Sequence, residues 1–203
     1  MTKLLRWTWL DQRLLDTVLV LACAVLVVFG LVLPALGVLG VGGGVPATRT
    51  VELPDRASVP ALAGDGDVTL FGTRTGELTF RHPDLGERLL LTLPALLGAL
   101  LALVVIVQLL RLVGTLRAGD PFVPDNARRL LTIALAIVSG AVLLPLSTAV
   151  TTDLLASGTP ADRFASFTMS LSPLPFVIGL AVAALAEFFR RGAKLREDTE
   201  GLV

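Results

Sequence analysis

The residue types that most often do chemistry are few in this chain, and their spacing suits none of the common reactions. His82 is the only histidine and Cys23 the only cysteine. His82 precedes Pro83 in a polar stretch with no second histidine or cysteine nearby. The nitrogen and sulfur ligands of a zinc site cannot be assembled around it, so it reads as a loop residue. Cys23 lies between Ala22 and Ala24 in an apolar run. A thiolate is unstable in such surroundings, so Cys23 reads as a small packed residue. Gly64-Asp65-Gly66-Asp67 offers two carboxylates to a cation. It lacks the further acidic ligands that the EF-hand and the glycine-rich nonapeptide place at fixed offsets, and reads as a solvated turn. Gly-x-Ser-x-Gly and the phosphate loop Gly-x-x-x-x-Gly-Lys are absent, and there is no tyrosine. A Ser-His-Asp triad would depend on His82. No catalytic residue, metal ligand or cofactor is therefore assigned, and no enzymatic activity is expected.

What the sequence does carry is a sharp separation of apolar and charged residues. Of 203 residues, 54 % are hydrophobic and 17 % charged, against roughly 25 % charged in soluble domains. Basic and acidic residues number 17 each, which gives no basic excess for direct nucleic-acid binding. Fifteen of the basic residues are Arg; with so much Ala, Leu, Gly and Val, this suggests a GC-rich bacterial genome.

Four runs satisfy the roughly 20 apolar residues that a helix needs to cross the hydrocarbon core: about 17–36, 89–110, 130–150 and 171–189. They contain no Lys, Arg or Asp, and Glu187 falls in the last turn of the fourth, beside Arg190 and Arg191. The first run is longer than a signal-peptide core, and Asp11 and Asp16 interrupt its basic start, so it is expected to be retained. The expectation is an all-α integral membrane protein: one domain over residues 1–203, a four-transmembrane-helix bundle with a small β-rich extracytoplasmic loop.

Orientation follows the basic residues of the loops. Eleven lie at the amino end (Lys3, Arg6, Arg13), in the link between the second and third runs (Arg111, Arg117, Arg128, Arg129) and in the tail (Arg190, Arg191, Lys194, Arg196). Six lie on the other side, spread over far more residues. A multi-pass protein of the cell membrane with both termini in the cytoplasm is predicted. The outer loop, about 37–88, opens with a glycine-rich stretch that reads as a flexible exit. It then offers three short β-prone segments: Thr48–Leu53, Val68–Phe71 and Glu77–Phe80, the last two joined by a turn at Gly72–Gly76. Such a patch is too small to fold alone and should rest on the helix ends.

Within the membrane the sequence offers no ionisable residue of the kind that ion-coupled carriers use. Gln108 is near enough to the inner end of its helix to reach the interface. Thr132, Ser139 and Ser147 can bond to their own helix backbone, and Pro145 kinks the third helix. Gly98 with Ala102, Ala136 with Gly140 and Gly179 with Ala183 repeat small residues at a four-residue spacing, which suits close packing of helices.

Two segments on the predicted inner side carry a recognisable pattern. Gly119-Asp-Pro-Phe-Val-Pro-Asp-Asn126 precedes Arg128, Arg129 and Leu130. Its prolines fix a tight turn, Gly119 can end the preceding helix, Phe122 can pack back between the helix ends, and Asp125 or Asn126 can cap the third helix. Arg128 and Arg129 then meet lipid phosphates at the surface. The tail reads Ala186-Glu-Phe-Phe-Arg-Arg-Gly192-Ala-Lys-Leu195-Arg-Glu-Asp198-Thr-Glu-Gly-Leu-Val203. Together these resemble the bacterial membrane proteins grouped as domain-of-unknown-function family 2975, with a Gly-x-Pro-Phe-x-x-x-Asn turn between spans two and three and a Gly-x-x-Leu-x-x-Asp tail. The resemblance covers the chain from about Leu14 onward and implies four spans and no established activity.

The resemblance also implies a neighbouring small cytoplasmic helix-turn-helix regulator as a partner. That partner would dock on the turn and tail, through Arg117, Pro121, Phe122, Asn126, Arg128, Leu195 and Asp198. The expected function is regulatory or accessory, through this surface and in contact with the lipid bilayer. A small transport or channel subunit, and an outer-loop sensor or immunity protein, are the alternatives.

Overall fold

Apolar runs without charge become the long helices, because a helix is the only single segment that satisfies its own backbone in lipid. The computed structural model describes residues 9–41, 48–52, 75–80, 83–117, 123–157 and 169–200. Helix α1 (Trp9–Val25) runs into a π-helical stretch (Leu26–Val32) and then into α2 (Leu33–Val38). In the wider turn the Leu33 amide donates to the Val28 carbonyl, a five-residue reach. Gly30 sits in this stretch, where an added Cβ would lie 2.9 Å from the Ala99 Cβ. The absent side chain lets the helix that carries Ala99 approach.

The glycine-rich exit is ordered at its start. Gly40 has φ +80°, its amide donates to the Gly37 carbonyl at 3.0 Å, and the Val41 amide donates to the Leu36 carbonyl at 3.0 Å. This pair of bonds, closed by a left-handed glycine, is a Schellman stop. Strands β1 (Thr48–Glu52) and β2 (Thr75–Thr79) then pair antiparallel, from Thr48 opposite Thr79 to Glu52 opposite Thr75. The expected turn at Gly72–Gly76 needs correction. Thr75 and Gly76 are strand residues, paired with Glu52 and Val51, because the alternation Thr75, Glu77, Thr79 extends the β pattern backward. The expected strand Val68–Phe71 lies outside the described residues.

Helix α3 (Leu85–Arg117) starts four residues before the expected span, on a capping box. The Glu87 amide donates to Asp84 Oδ1 at 2.7 Å, and the Asp84 amide donates to Glu87 Oε2 at 2.9 Å. Helix α4 (Pro124–Ala156) starts on Pro124, whose missing amide costs nothing in a first turn. Each has 33 residues, about 50 Å at 1.5 Å per residue, and so overshoots a hydrocarbon core of ~30 Å. Thr132, Ser139 and Ser147 bond to the carbonyls of Arg128, Ala136 and Leu144, as expected from their sequence. Helix α5 (Leu174–Glu200) completes the described elements.

Among the described residues, three helical stretches are long and apolar enough to cross a membrane: Thr17–Val38, Leu85–Leu116 and Pro124–Ala156. They point to a membrane protein. The fourth expected span, 171–189, is not among them. Residues 171–173 are not helical, and α5, starting at Leu174, meets Glu187, Arg190 and Arg191 too soon.

Contacts gather the chain into two compact units. One comprises Met1–Leu33, Leu96–Leu143 and Leu171–Val203. The other comprises Pro34–Ala95 and Leu144–Ser170. In the first, α4 and α5 meet at Gly179, where an added Cβ would lie 2.5 Å from Val138 Cγ2 and 3.4 Å from the Ala134 carbonyl oxygen. Of the small residues expected at seams, Ala136, Gly140 and Gly179 are buried, while Gly98, Ala102 and Ala183 are half-buried.

Candidate functional site

The end of α3 is fastened to the start of α4 by side chains that the helix ends bring face to face. Asn126 is fully buried. Its Oδ1 accepts from the Thr115 hydroxyl at 2.7 Å and from Arg129 Nη1 at 3.0 Å. Arg129 Nη1 also donates to the Arg111 carbonyl at 2.9 Å and lies 3.3 Å from Thr115 Oγ1. The Leu112 carbonyl lies 2.7 Å from the same hydroxyl, so one proton is shared between that oxygen and Asn126 Oδ1. Thr115, Asn126 and Arg129 thus form one polar lock between the end of α3 and the start of α4.

This lock corrects two expectations. Asn126 is the third residue of α4 and faces α3, so it does not cap the helix by accepting its free amides. Arg129 is half-buried and turned onto the α3 carbonyls. Arg128 is exposed, with 85 % of its side chain accessible and only a long 3.9 Å pairing with Asp125.

The other predicted residues fall as follows. Arg117 is the last residue of α3, and its side chain is not described. Pro121 and Phe122, with Gly119, lie outside the described residues. Leu195 and Asp198 are exposed on α5, Leu195 by 67 %. Glu187 is engaged on both its oxygens. Arg190 donates to it through Nε at 2.7 Å and Nη2 at 2.9 Å, and Arg191 donates through Nε at 2.7 Å.

Between the first turns of α4 and the C-terminal half of α5 lies a groove of about 600 Å³. Ala127, Leu131, Ala183 and Ala186 form its apolar floor. Its rim carries Arg128 from the start of α4 and Arg190, Lys194 and Glu197 from the tail. The first turns of α4 and the C-terminal half of α5, far apart in sequence, therefore share one surface. The arrangement can hold an elongated or charged ligand. Among the described residues no His, Cys, Asp and Glu group could hold a metal ion.

A second polar feature, not anticipated from sequence, lies in the other unit. Arg49 of β1 donates through Nη2 to Thr151 Oγ1 at 2.7 Å and lies 3.3 Å from the Leu90 carbonyl. Thr151 is itself buried and bonded to the Ser147 carbonyl at 2.7 Å. Arg49 Nε is buried without a hydrogen bond, and burial lowers the pKa of the guanidinium. Its bonds tie the strand to the ends of α3 and α4, the support expected for so small a sheet. The signal available in the sequence was a lone Arg inside an alternating β segment, which has no distinguishing spacing.

A family model described as a protein of unknown function (DUF2975) matches residues 43–203. No curated protein and no solved structure matches the chain.

Proposed function

The chain belongs to the DUF2975 family of proteins of unknown function, and from that premise we propose that it is a multi-pass accessory or regulatory protein of the bacterial cell membrane. It spans the bilayer four times with both termini in the cytoplasm, and it docks a protein on its turn and tail. The observation that carries the reading is the shared groove, to which the start of α4, just after the turn, contributes Arg128 and the tail Lys194. Arg129 and Asn126 tie the start of α4 to the end of α3, so the α4 side of the groove is held against its neighbour. The mixed charge of the rim suits a small partner with its own charge pattern, and steering of such a partner weakens with salt. A small helix-turn-helix regulator is the partner that the family resemblance implies.

The fourth span uses the apolar start of α5. Leu174, Val177 and Leu180 are exposed and would face lipid. The single acid, Glu187, is neutralised by Arg190 and Arg191 at the interface.

Deleting Lys194–Val203 tests the docking. The truncated protein should still insert and purify but lose the protein that co-purifies with the full chain from native membranes. If it retains every partner, the tail is not the docking surface.

A further inference from the structure

The groove has a floor that does not end at its edges. Leu131 is 48 % exposed, and Leu135, one turn further along α4, is 61 % exposed. On α5 Ala183 continues into Leu180, also exposed. The apolar strip therefore leaves the groove along two helices, and α4 is one of the helices able to cross a membrane. A soluble partner seated on the rim would leave that strip uncovered.

The rim charges are unequal in their engagement. Glu187 is occupied by Arg190 and Arg191. Arg128 has only its long, exposed pairing with Asp125. Lys194 makes no hydrogen bond or ion pair with the described residues, and Glu197 stands nearly one helical turn further from the apolar floor. Arg128 and Lys194 are thus the rim cations left open.

We propose that this groove binds one anionic phospholipid, with its phosphate between Arg128 and Lys194 and its acyl chains along the strip through Leu131 and Leu135. Basic pockets between membrane helices recognise such headgroups, and about 600 Å³ lies within the roughly 300–1,000 Å³ of small-ligand sites. The proposal rests on the membrane placement of this face given above, and it is independent of the identity of any protein partner.

The test is native mass spectrometry of the purified full chain in detergent, titrated with phosphatidylglycerol or with phosphatidylcholine of the same acyl chains. The wild-type chain should retain phosphatidylglycerol selectively. Arg128→Gln with Lys194→Gln should lower that selectivity roughly fivefold per removed charge, about 30-fold in all. Arg128→Lys with Lys194→Arg should keep it, as should the control pair Arg111→Gln with Arg196→Gln. Both groove residues are exposed, so an unchanged melting temperature verifies that the variants are folded. Equal retention of the two lipids by the wild-type chain, or undiminished selectivity in the Gln pair, would overturn the proposal and leave the groove to a protein segment. Partner capture by the Gln pair is read separately. Loss of lipid with partner retained leaves the docking reading standing, and loss of partner on deleting only Leu195–Val203, which spares Lys194, leaves the lipid site standing.

Discussion

Asn126 shows how a residue can be recognised as important while its work is misassigned. Its place after Asp-Pro and Val-Pro suggested a helix cap, a role defined by near neighbours. Its actual acceptor role depends on Thr115, eleven residues earlier and across a turn, which local pattern cannot reveal. The difference matters for stability. Removing a cap costs about 0.5–2 kcal/mol, whereas removing the amide from a buried lock takes one acceptor from both Thr115 and Arg129, which keep only the Leu112 and Arg111 carbonyls, about 1–3 kcal/mol for the two bonds. Asn126→Leu should therefore lower the melting temperature in detergent clearly. Thr115→Val should do so too, and the double variant should lose less than the sum, because each single change already breaks the shared bond. Additive losses in that cycle would show that the two side chains act independently. Gly179 is a second residue whose value is steric. Gly179→Leu would drive a side chain into Val138, and overpacking of this kind costs about 1–3 kcal/mol. Thermal unfolding should show that loss, while Gly114→Ala, where nothing stands in the way of a Cβ, should show none.

Among the elements, the helices were the most legible feature, since uncharged apolar runs leave few alternatives in lipid. Their ends were less so. The α3 start was placed at the first unbroken apolar residue, yet Asp84 and Glu87 form a reciprocal cap that begins the helix at Leu85. The signal, an acid at the cap and a Glu three residues later, was present in the sequence and was masked by the polar character of the loop. The Gly40 stop was masked in a similar way, since a run of glycines reads as flexibility while one of them serves a defined turn. The β pairing was only partly legible, because alternation identifies a strand but does not name its partner. Breaking the cap with Asp84→Ala should destabilise the protein by about 1 kcal/mol. Gly40→Ala should cost a similar amount, from the left-handed φ of +80°. Its new Cβ would also stand 2.7 Å from Arg88 Nη1, the end of a flexible side chain that can move. A shift in melting temperature for the Ala variant of Asp84 but not for Glu197→Ala, on the exposed tail, would separate helix capping from a general effect of removing acids.

At the scale of the whole molecule, the distribution of charge gives a directional prediction that the packing itself cannot give. Helix–helix contacts are the same whichever way the chain is inserted, so Gly30 on Ala99 and Gly179 on Val138 say nothing about sidedness. The basic residues break that symmetry, eleven against six, and the richer set gathers in short segments near the helix ends, where the rule for orientation is strongest. Arg49 adds a reason why the poorer side can carry a basic residue. Its guanidinium is drawn into Thr151 and the Leu90 carbonyl, and so contributes less open charge to its loop than Arg128 does to the turn. Four crossings with both ends inside would put the β1–β2 loop outside and the groove inside, as the docking reading requires. The prediction is checked by labelling intact cells with a membrane-impermeant thiol reagent. In a Cys23→Ala background, a cysteine at Ser58 should label without permeabilisation, and one at Thr199 only after it. The opposite pattern would invert the molecule and move the turn and tail away from any cytoplasmic partner. Labelling at both positions would mean an odd number of crossings, with α5 lying on the bilayer and leaving the fourth crossing out.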